Sequence, residues 1–261
     1  MIDVIIPAYN CSATLNRTLS SLVAQTDQNF VVTIVDDCSS ENLKPIIERY
    51  KDVLNISCIR NDANKGCGMT RQVGIDNTNC SYFTFLDSDD ILMPYAVETF
   101  NSIVQADPNV ELVHSYIYKQ EMIDGNPALT LIKDGFSYCH GKLYNRELIN
   151  KFNIRNSPLV KWHDDSFFNS MCMELLKTQV IGISTMLWCS NPNSITRKSD
   201  NDRDKNVIKD FLNAMCMSKD FVLKYKNNVE HIPETIKNII NNSKKEFYEE
   251  EKKLLEYLKG E

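Results

Sequence analysis

Residues 82–94 read YFTFLDSDDILMP, so an apolar run leads straight into Asp87, Ser88, Asp89 and Asp90. Carboxylates this close repel one another and raise one another's pKa, a cost that a bound cation offsets. A D-x-D of this kind suits Mg²⁺ or Mn²⁺, hard ions that take carboxylate oxygens and keep positions open for phosphate. If the strand continues through Ser88, Asp87 and Asp89 project from one side of an extended chain, and a bound diphosphate completes the shell. A second acidic pair, Asp164-Asp165, stands in WHDDSFF at the start of an amphipathic segment. Acids there are favoured by the helix dipole, which is the plain structural account of the pair.

These residues need a frame, and the first 118 residues alternate in the way that supplies one. VIIPAY reads as a buried strand, and FVVTIVDD, NISCIRND, SYFTFLDSDD and VELVHSYIY as the strands that follow. Ser12 through Ala24, LKPIIERY, GMTRQVGID and PYAVETFNSIV read as the helices between them. Such alternation predicts a mostly parallel sheet with helices on both faces, whose ligands lie at the carboxyl ends of the strands. Pro7-Ala8-Tyr9-Asn10, Asp36-Asp37, Asn61-Asp62 with Asn64-Lys65-Gly66, and Asp87 to Asp90 then converge on one rim. Beyond about residue 125 the alternation stops. GKLYNRELINKF reads as a short helix, DDSFFNSMCMELLK as an amphipathic helix and TQVIGISTMLWCS as a strand. A polar loop follows, and residues 203–258 read as two helices broken near Pro233.

Several classes of protein are set aside by the same reading. No strand is followed by G-x-G-x-x-G or G-x-x-x-x-G-K-[ST], which argues against dinucleotide cofactors and Walker-type ATPases. No serine nucleophile elbow is present. The nine cysteines are odd in number and lack C-x-x-C spacing, so reduced thiols in a cytoplasmic protein are expected, without zinc. No apolar run approaches the ~18 residues of a membrane span. Asp3 and Pro7 interrupt the first apolar run, so no signal peptide is expected. Charge divides unevenly: residues 1–138 carry a net −9, residues 139–226 a net +5 and residues 227–261 a net −2. The asymmetry suggests that the two halves meet different partners.

VIIPAYN, VDDCS, GMTRQVGI and FLDSDD, followed by HGKLYNRELI, WHDDSFF and NPNSIT, resemble in order and spacing the motifs of family 2 glycosyltransferases. The resemblance runs from residue 2 to about residue 198. It implies an α/β GT-A (nucleotide-diphospho-sugar transferase) fold with a mostly parallel central sheet, helices on both faces and C-terminal helices. It also implies a division into residues 1–118 for the nucleotide sugar, 119–200 for the acceptor, and a helical extension over 201–261. By the same resemblance Asp37 bonds the nucleobase, and Tyr9 packs on it with the backbone near Pro7 and Ala8. Asp87 and Ser88 meet the sugar or ribose, Asp89 binds the metal with Asp87, and Arg71 faces the donor. Gln72 stands where the family usually has Asn. Asp165 is the general base and Asp164 orients it. His163 is either a further metal contact or a neighbour only. Arg197 and Lys198 either close over the diphosphate or belong to a solvated loop, and His114 is expected to be structural.

The implied reaction is an inverting, Mn²⁺- or Mg²⁺-dependent transfer from a UDP-sugar to a hydroxyl. The acceptor would be a bacterial surface glycan or its lipid-linked precursor, reached in the cytoplasm or at the inner face of the membrane, and the basic segment fits an anionic one. Three other readings stay open: a sugar nucleotidyltransferase, a glycosyltransferase acting on modified DNA, and a non-catalytic sugar- or nucleotide-binding module. A nucleotidyltransferase would carry a glycine-rich N-terminal stretch with a basic residue, and IIPAYNCSA has neither.

Overall fold

A computed structural model describes residues 1–123, 126–158 and 164–191. Strand β1 (Ile2–Ala8) is buried along its whole length, as its predominantly apolar sequence requires of a central strand. Its one acid, Asp3, is buried and accepts a hydrogen bond of 2.8 Å from Thr33 Oγ1 on the adjacent strand. Helix α1 (Ser12–Val23) turns Leu15, Leu19 and Leu22 into the core. There follow β2 (Phe30–Asp36), α2 (Lys44–Glu48), β3 (Ile56–Arg60), α3 (Cys67–Asn77) and β4 (Tyr82–Phe85). Four parallel strands lie in the order β3-β2-β1-β4, so their carboxyl ends share one edge. Helix α3 lies close on β1: a methyl added at Gly74 would come within 2.3 Å of Ile5 Cγ2.

The second half of the sheet is mixed. Its elements are β5 (Ile91–Leu92), α4 (Ala96–Ala106), β6 (Leu112–Ile123), β7 (Asn126–Ile132), β8 (Lys142–Asn145), α5 (Arg146–Lys151), α6 (Asp164–Leu175) and β9 (Thr178–Trp188). The sheet continues from β4 through β8, β6 and β9 to β5, with β7 paired to β6. Strands β8 and β6 run antiparallel to their neighbours β4 and β8, and β9 is parallel to β6. Phe83, Phe85, Tyr144 and Phe168 pack together, with Phe83 and Tyr144 stacked at 5.1 Å. This aromatic cluster joins β4, β8 and α6 beneath the rim.

The five strands expected in residues 1–118 and the helices between them are present. Three expectations differ. GKLYNRELINKF is a strand and then a helix, because Leu143 and Tyr144 are buried in the sheet and Asn145 then caps α5 by accepting from Leu148 N–H. Strands β5 and β7 were not anticipated. β4 ends at Phe85 and does not continue through Ser88: Asp90 N–H donates to Asp87 O at 3.0 Å, closing a turn. Asp87 and Asp89 therefore do not project as alternate residues of one strand. Residues 192–261, including the expected tail helices, lie outside the described residues.

Candidate active site

The rim begins with the carboxyl ends of β1 and β2. Pro7 and Ala8 are buried, while Tyr9 just beyond is about half exposed. Asn10 and Cys38 take left-handed backbone conformations at φ 47° and 59°. Asn10 Oδ1 accepts from Ser40 N–H, and Ser39 Oγ accepts from Asn10 N–H, so the two strand-end loops hold each other. Asp36 and Asp37 point different ways. Asp36 is paired with Arg60 and accepts from Ser39 N–H. Asp37 is buried and accepts from Asn61 Nδ2 (2.8 Å), Lys65 N–H (2.8 Å) and Gly66 N–H (2.9 Å). Its carboxylate thereby organises the loop that leads into α3, where Gly66 has φ 82°.

The acidic turn after β4 meets α3, α6 and the segment before β8. Arg71, 4% exposed, donates from Nη2 to Asp87 Oδ1 (2.7 Å) and from Nη1 to Asp164 Oδ2 (2.6 Å). Its guanidinium lies 5.7 Å over the Phe85 ring. His140 Nε2 lies 3.0 Å from Asp90 Oδ2 and 3.4 Å from Asp87 Oδ2. Its ring stacks on Trp188 at 5.2 Å. Asp90 is fully buried, and its second oxygen accepts from Cys189 N–H at 2.7 Å. The turn is thus fastened to the end of β9. Asp89 sits on the outer side of the turn, where Asn191 Nδ2 donates to it at 2.7 Å. Ser88, half-buried, also lies on the turn.

The electrostatics follow from burial and these contacts. Burial works against the charge of His140, but the hydrogen bonds and charges of Asp87 and Asp90 outweigh it and raise the ring to about 10. Burial would raise Asp87, yet Arg71 and His140 together hold it below the usual carboxylate range. Burial pushes Asp90 up to about 6, moderated by His140. Burial pushes Asp164 up to about 6 against the pull of Arg71. Asp165 accepts from Ser166 N–H with one oxygen at 2.8 Å.

Asp87, Asp90 and His140 bring three ligand atoms within 4.8 Å of one another. Two carboxylates and an imidazole are a donor set that suits Mn²⁺, which would bind by displacing the proton that Asp87 and Asp90 otherwise hold on His140. The buried His140 Nδ1 has no partner among the described residues, which leaves the ring held through Nε2 alone. The residues present therefore fit a divalent ion. The sequence reading had named Asp87, Arg71 and Asp164, and the fold brings these three together. It had missed Asp90 and His140 as members of the cluster. Asp90 was visible within DSDD, but its pairing with Asp87 depends on the turn. His140 is joined to residue 87 only by the β4–β8 neighbourhood, which no local spacing announces. His163, Arg197 and Lys198 lie outside the described residues. His114 is buried, with Nε2 at 3.1 Å from Lys133 O and its ring against Phe136, away from the acidic turn.

A family model described as glycosyl transferase family 2 matches residues 3–178. An uncharacterised glycosyltransferase of Haemophilus influenzae is 33% identical over 149 residues, covering 57% of this chain and 46% of that protein. The Escherichia coli UDP-Glc:alpha-D-GlcNAc-diphosphoundecaprenol beta-1,3-glucosyltransferase WfaP is 38% identical over 90 residues, 34% of this chain and 36% of its own length. The chain spans about half or less of the length of these curated relatives. Among solved structures, Staphylococcus aureus TarS 1-349 in complex with UDP-GlcNAc aligns with a TM-score of 0.75 at 17% identity, covering 98% of this chain and 80% of that one. The mannosyltransferase PcManGT of Pyrobaculum calidifontis, in complex with GDP-Man and Mn²⁺, aligns with a TM-score of 0.59 at 13% identity, covering 99% of this chain and 73% of that one. At these identities the structural likeness is one of fold, and the fold is the GT-A sheet expected from the motifs. By the match over residues 3–178, the chain belongs to glycosyl transferase family 2.

Proposed function

We propose that the protein transfers a sugar from a UDP-sugar to a hydroxyl acceptor, with inversion at the anomeric carbon. One observation carries this reading. Arg71 is buried between Asp87 at the end of a donor-side strand and Asp164 at the start of the acceptor-side helix. The nucleotide-facing rim and the acidic helix start therefore meet at one point, as a two-substrate transfer requires.

In this reading Tyr9 packs on the base beside Pro7 and Ala8, and Asp37 accepts the N3 proton of uracil. Asp87 and Ser88 hold sugar or ribose hydroxyls. Asp89 and Asp87 hold a divalent ion, Mn²⁺ or Mg²⁺, and Asp90 with His140 forms the inner part of the same acidic cluster. When bound, the ion would neutralise charge on the departing diphosphate. Asp165 is the general base: one oxygen accepts from Ser166 N–H, and the other has no hydrogen bond among the described residues. Asp164 is tied to Arg71 and orients the pair. Attack from the face opposite the leaving diphosphate inverts the configuration. The acceptor proposed is a bacterial surface glycan or its lipid-linked precursor, a class consistent with the diphosphoundecaprenol-linked acceptor in the name of WfaP. No helix among the described residues is long and apolar enough to cross a membrane.

A panel of UDP-sugars incubated with the protein and Mn²⁺ tests the reading. UDP release is expected with at least one donor, and it should stop without the metal. Asp89→Ala should abolish it. Asp165→Asn should bind UDP and Mn²⁺ as wild type does, yet lose ~10²–10⁴ in transfer rate, the scale of general-base loss. If His140→Gln abolishes Mn²⁺ binding and Asp89→Ala leaves it intact, the ion belongs to the inner cluster and the Asp89 assignment fails. If no donor is turned over and UDP still binds, a binding module replaces the enzyme.

A further inference from the structure

The charged residues of the rim form a chain of shared contacts, acid alternating with base: Asp164, Arg71, Asp87, His140, Asp90. His140 touches only the donor-side acids. Arg71 alone among these groups is paired with an acid of each half, Asp87 and Asp164. We propose that Arg71 is a positioning residue that couples the two halves of the site, so that occupancy of Asp87 by the donor sets how firmly Asp164 is held on the acceptor side. This inference rests on the reading given under Proposed function.

Three features make the coupling strong. First, the guanidinium is buried, so its charge is little screened and its two acceptors compete for it directly. Second, the two Nη atoms engage one carboxylate each, at 2.7 and 2.6 Å, in the planar fork that only arginine provides. Third, the elements carrying these groups have no slack. A methyl added at Gly68 on α3 would come within 2.7 Å of Asp164 Cβ, so α3 and the start of α6 are in contact beside the ion pair. A donor complex that draws on Asp87 competes with Arg71 for that carboxylate, and Arg71 then falls more fully to Asp164. The acceptor-side pair is thereby fixed once the donor is in place. Coupling of this kind is reciprocal, so changing Asp164 must change donor affinity even though it lies outside the donor-side half.

The test is calorimetric UDP affinity in the presence of Mn²⁺ for wild type, Asp164→Asn, Asp165→Asn, Arg71→Met and the Arg71→Met/Asp164→Asn pair. Asp164→Asn leaves Arg71 wholly to Asp87 and should weaken UDP·Mn²⁺ binding roughly fivefold or more, the lower end of ordinary coupling. Asp165→Asn removes the same charge one residue along without touching Arg71, and should change affinity less than about twofold. In the Arg71→Met background the Asp164→Asn step should also fall within about twofold, because the shared cation is gone. Equal effects of Asp164→Asn with and without Arg71 overturn the coupling. If Arg71→Met does not fold, the comparison of Asp164→Asn with Asp165→Asn decides alone, and matching affinities overturn it. Absence of UDP·Mn²⁺ binding by wild type would instead overturn the donor reading itself.

Discussion

Asp37 commits its carboxylate to three protein donors, Asn61 Nδ2, Lys65 N–H and Gly66 N–H. Two of them share Oδ1, so Oδ2 keeps a lone pair for a further donor such as uracil N3–H. Asp37→Ala should therefore do two things. It should weaken UDP binding by roughly 1.5–3 kcal/mol, as expected for a hydrogen bond to a charged group. It should also loosen the 61–66 loop, visible as faster amide exchange at Lys65 and Gly66. Unchanged UDP affinity with a loosened loop would leave Asp37 a purely structural residue. At this scale the sequence was informative wherever a strand end carried its own acid, as at Asp37 and Asp87. The relative orientation of Asp87 and Asp89 was not legible, because the one-sided D-x-D spacing assumes an extended chain and the backbone turns instead.

Among the elements, α3 does most to shape the site. It begins at the loop organised by Asp37, carries Arg71 on its buried side and approaches both β1 and α6 through glycines. Gly74→Ala places a methyl 2.3 Å from Ile5 Cγ2, so helix and sheet must part. Thermal or urea unfolding should show a loss of about 1–3 kcal/mol, the usual cost of overpacking. A neutral result would mean that α3 can shift outward freely, and the tight seating of Arg71 would then need another cause. The strands and helices of residues 1–118 were legible because apolar strand runs such as β1 and β2 alternate with helices whose apolar residues recur at helical spacing, as in α1. β8 was not, since four residues are too few to show a period and the helix signal of RELINK follows at once. Nor was β5, whose two residues are a strand only because β9 lies beside them.

At the scale of the whole molecule, stability should respond to pH through a buried histidine that is not part of the acidic cluster. Burial and the nearby Lys142 charge lower His114 from 6.5 to about 4, so it is neutral in the folded protein at ordinary pH. The unfolded chain binds a proton at His114 that the folded chain refuses. Stability from this group is therefore complete above pH 6.5 and is lost as pH falls from 6.5 towards 4. His114→Phe should remove up to about 3 kcal/mol of the acid-side decline seen by chemical denaturation, with little change in its slope above pH 7. Parallel acid limbs in the two proteins would show that His114 is not the titrating group. The connection between Asp90 and Cys189 N–H has a different consequence, one of timing. The acid leaves the ribosome 99 residues ahead of its partner. β5 likewise waits for β9, although β1 to β4 can pair as soon as they emerge. During synthesis the first sheet can thus mature with its acidic turn held to α1 and α3 through Thr18 and Arg71, while the bond from Cys189 N–H to Asp90 forms only when the end of β9 docks.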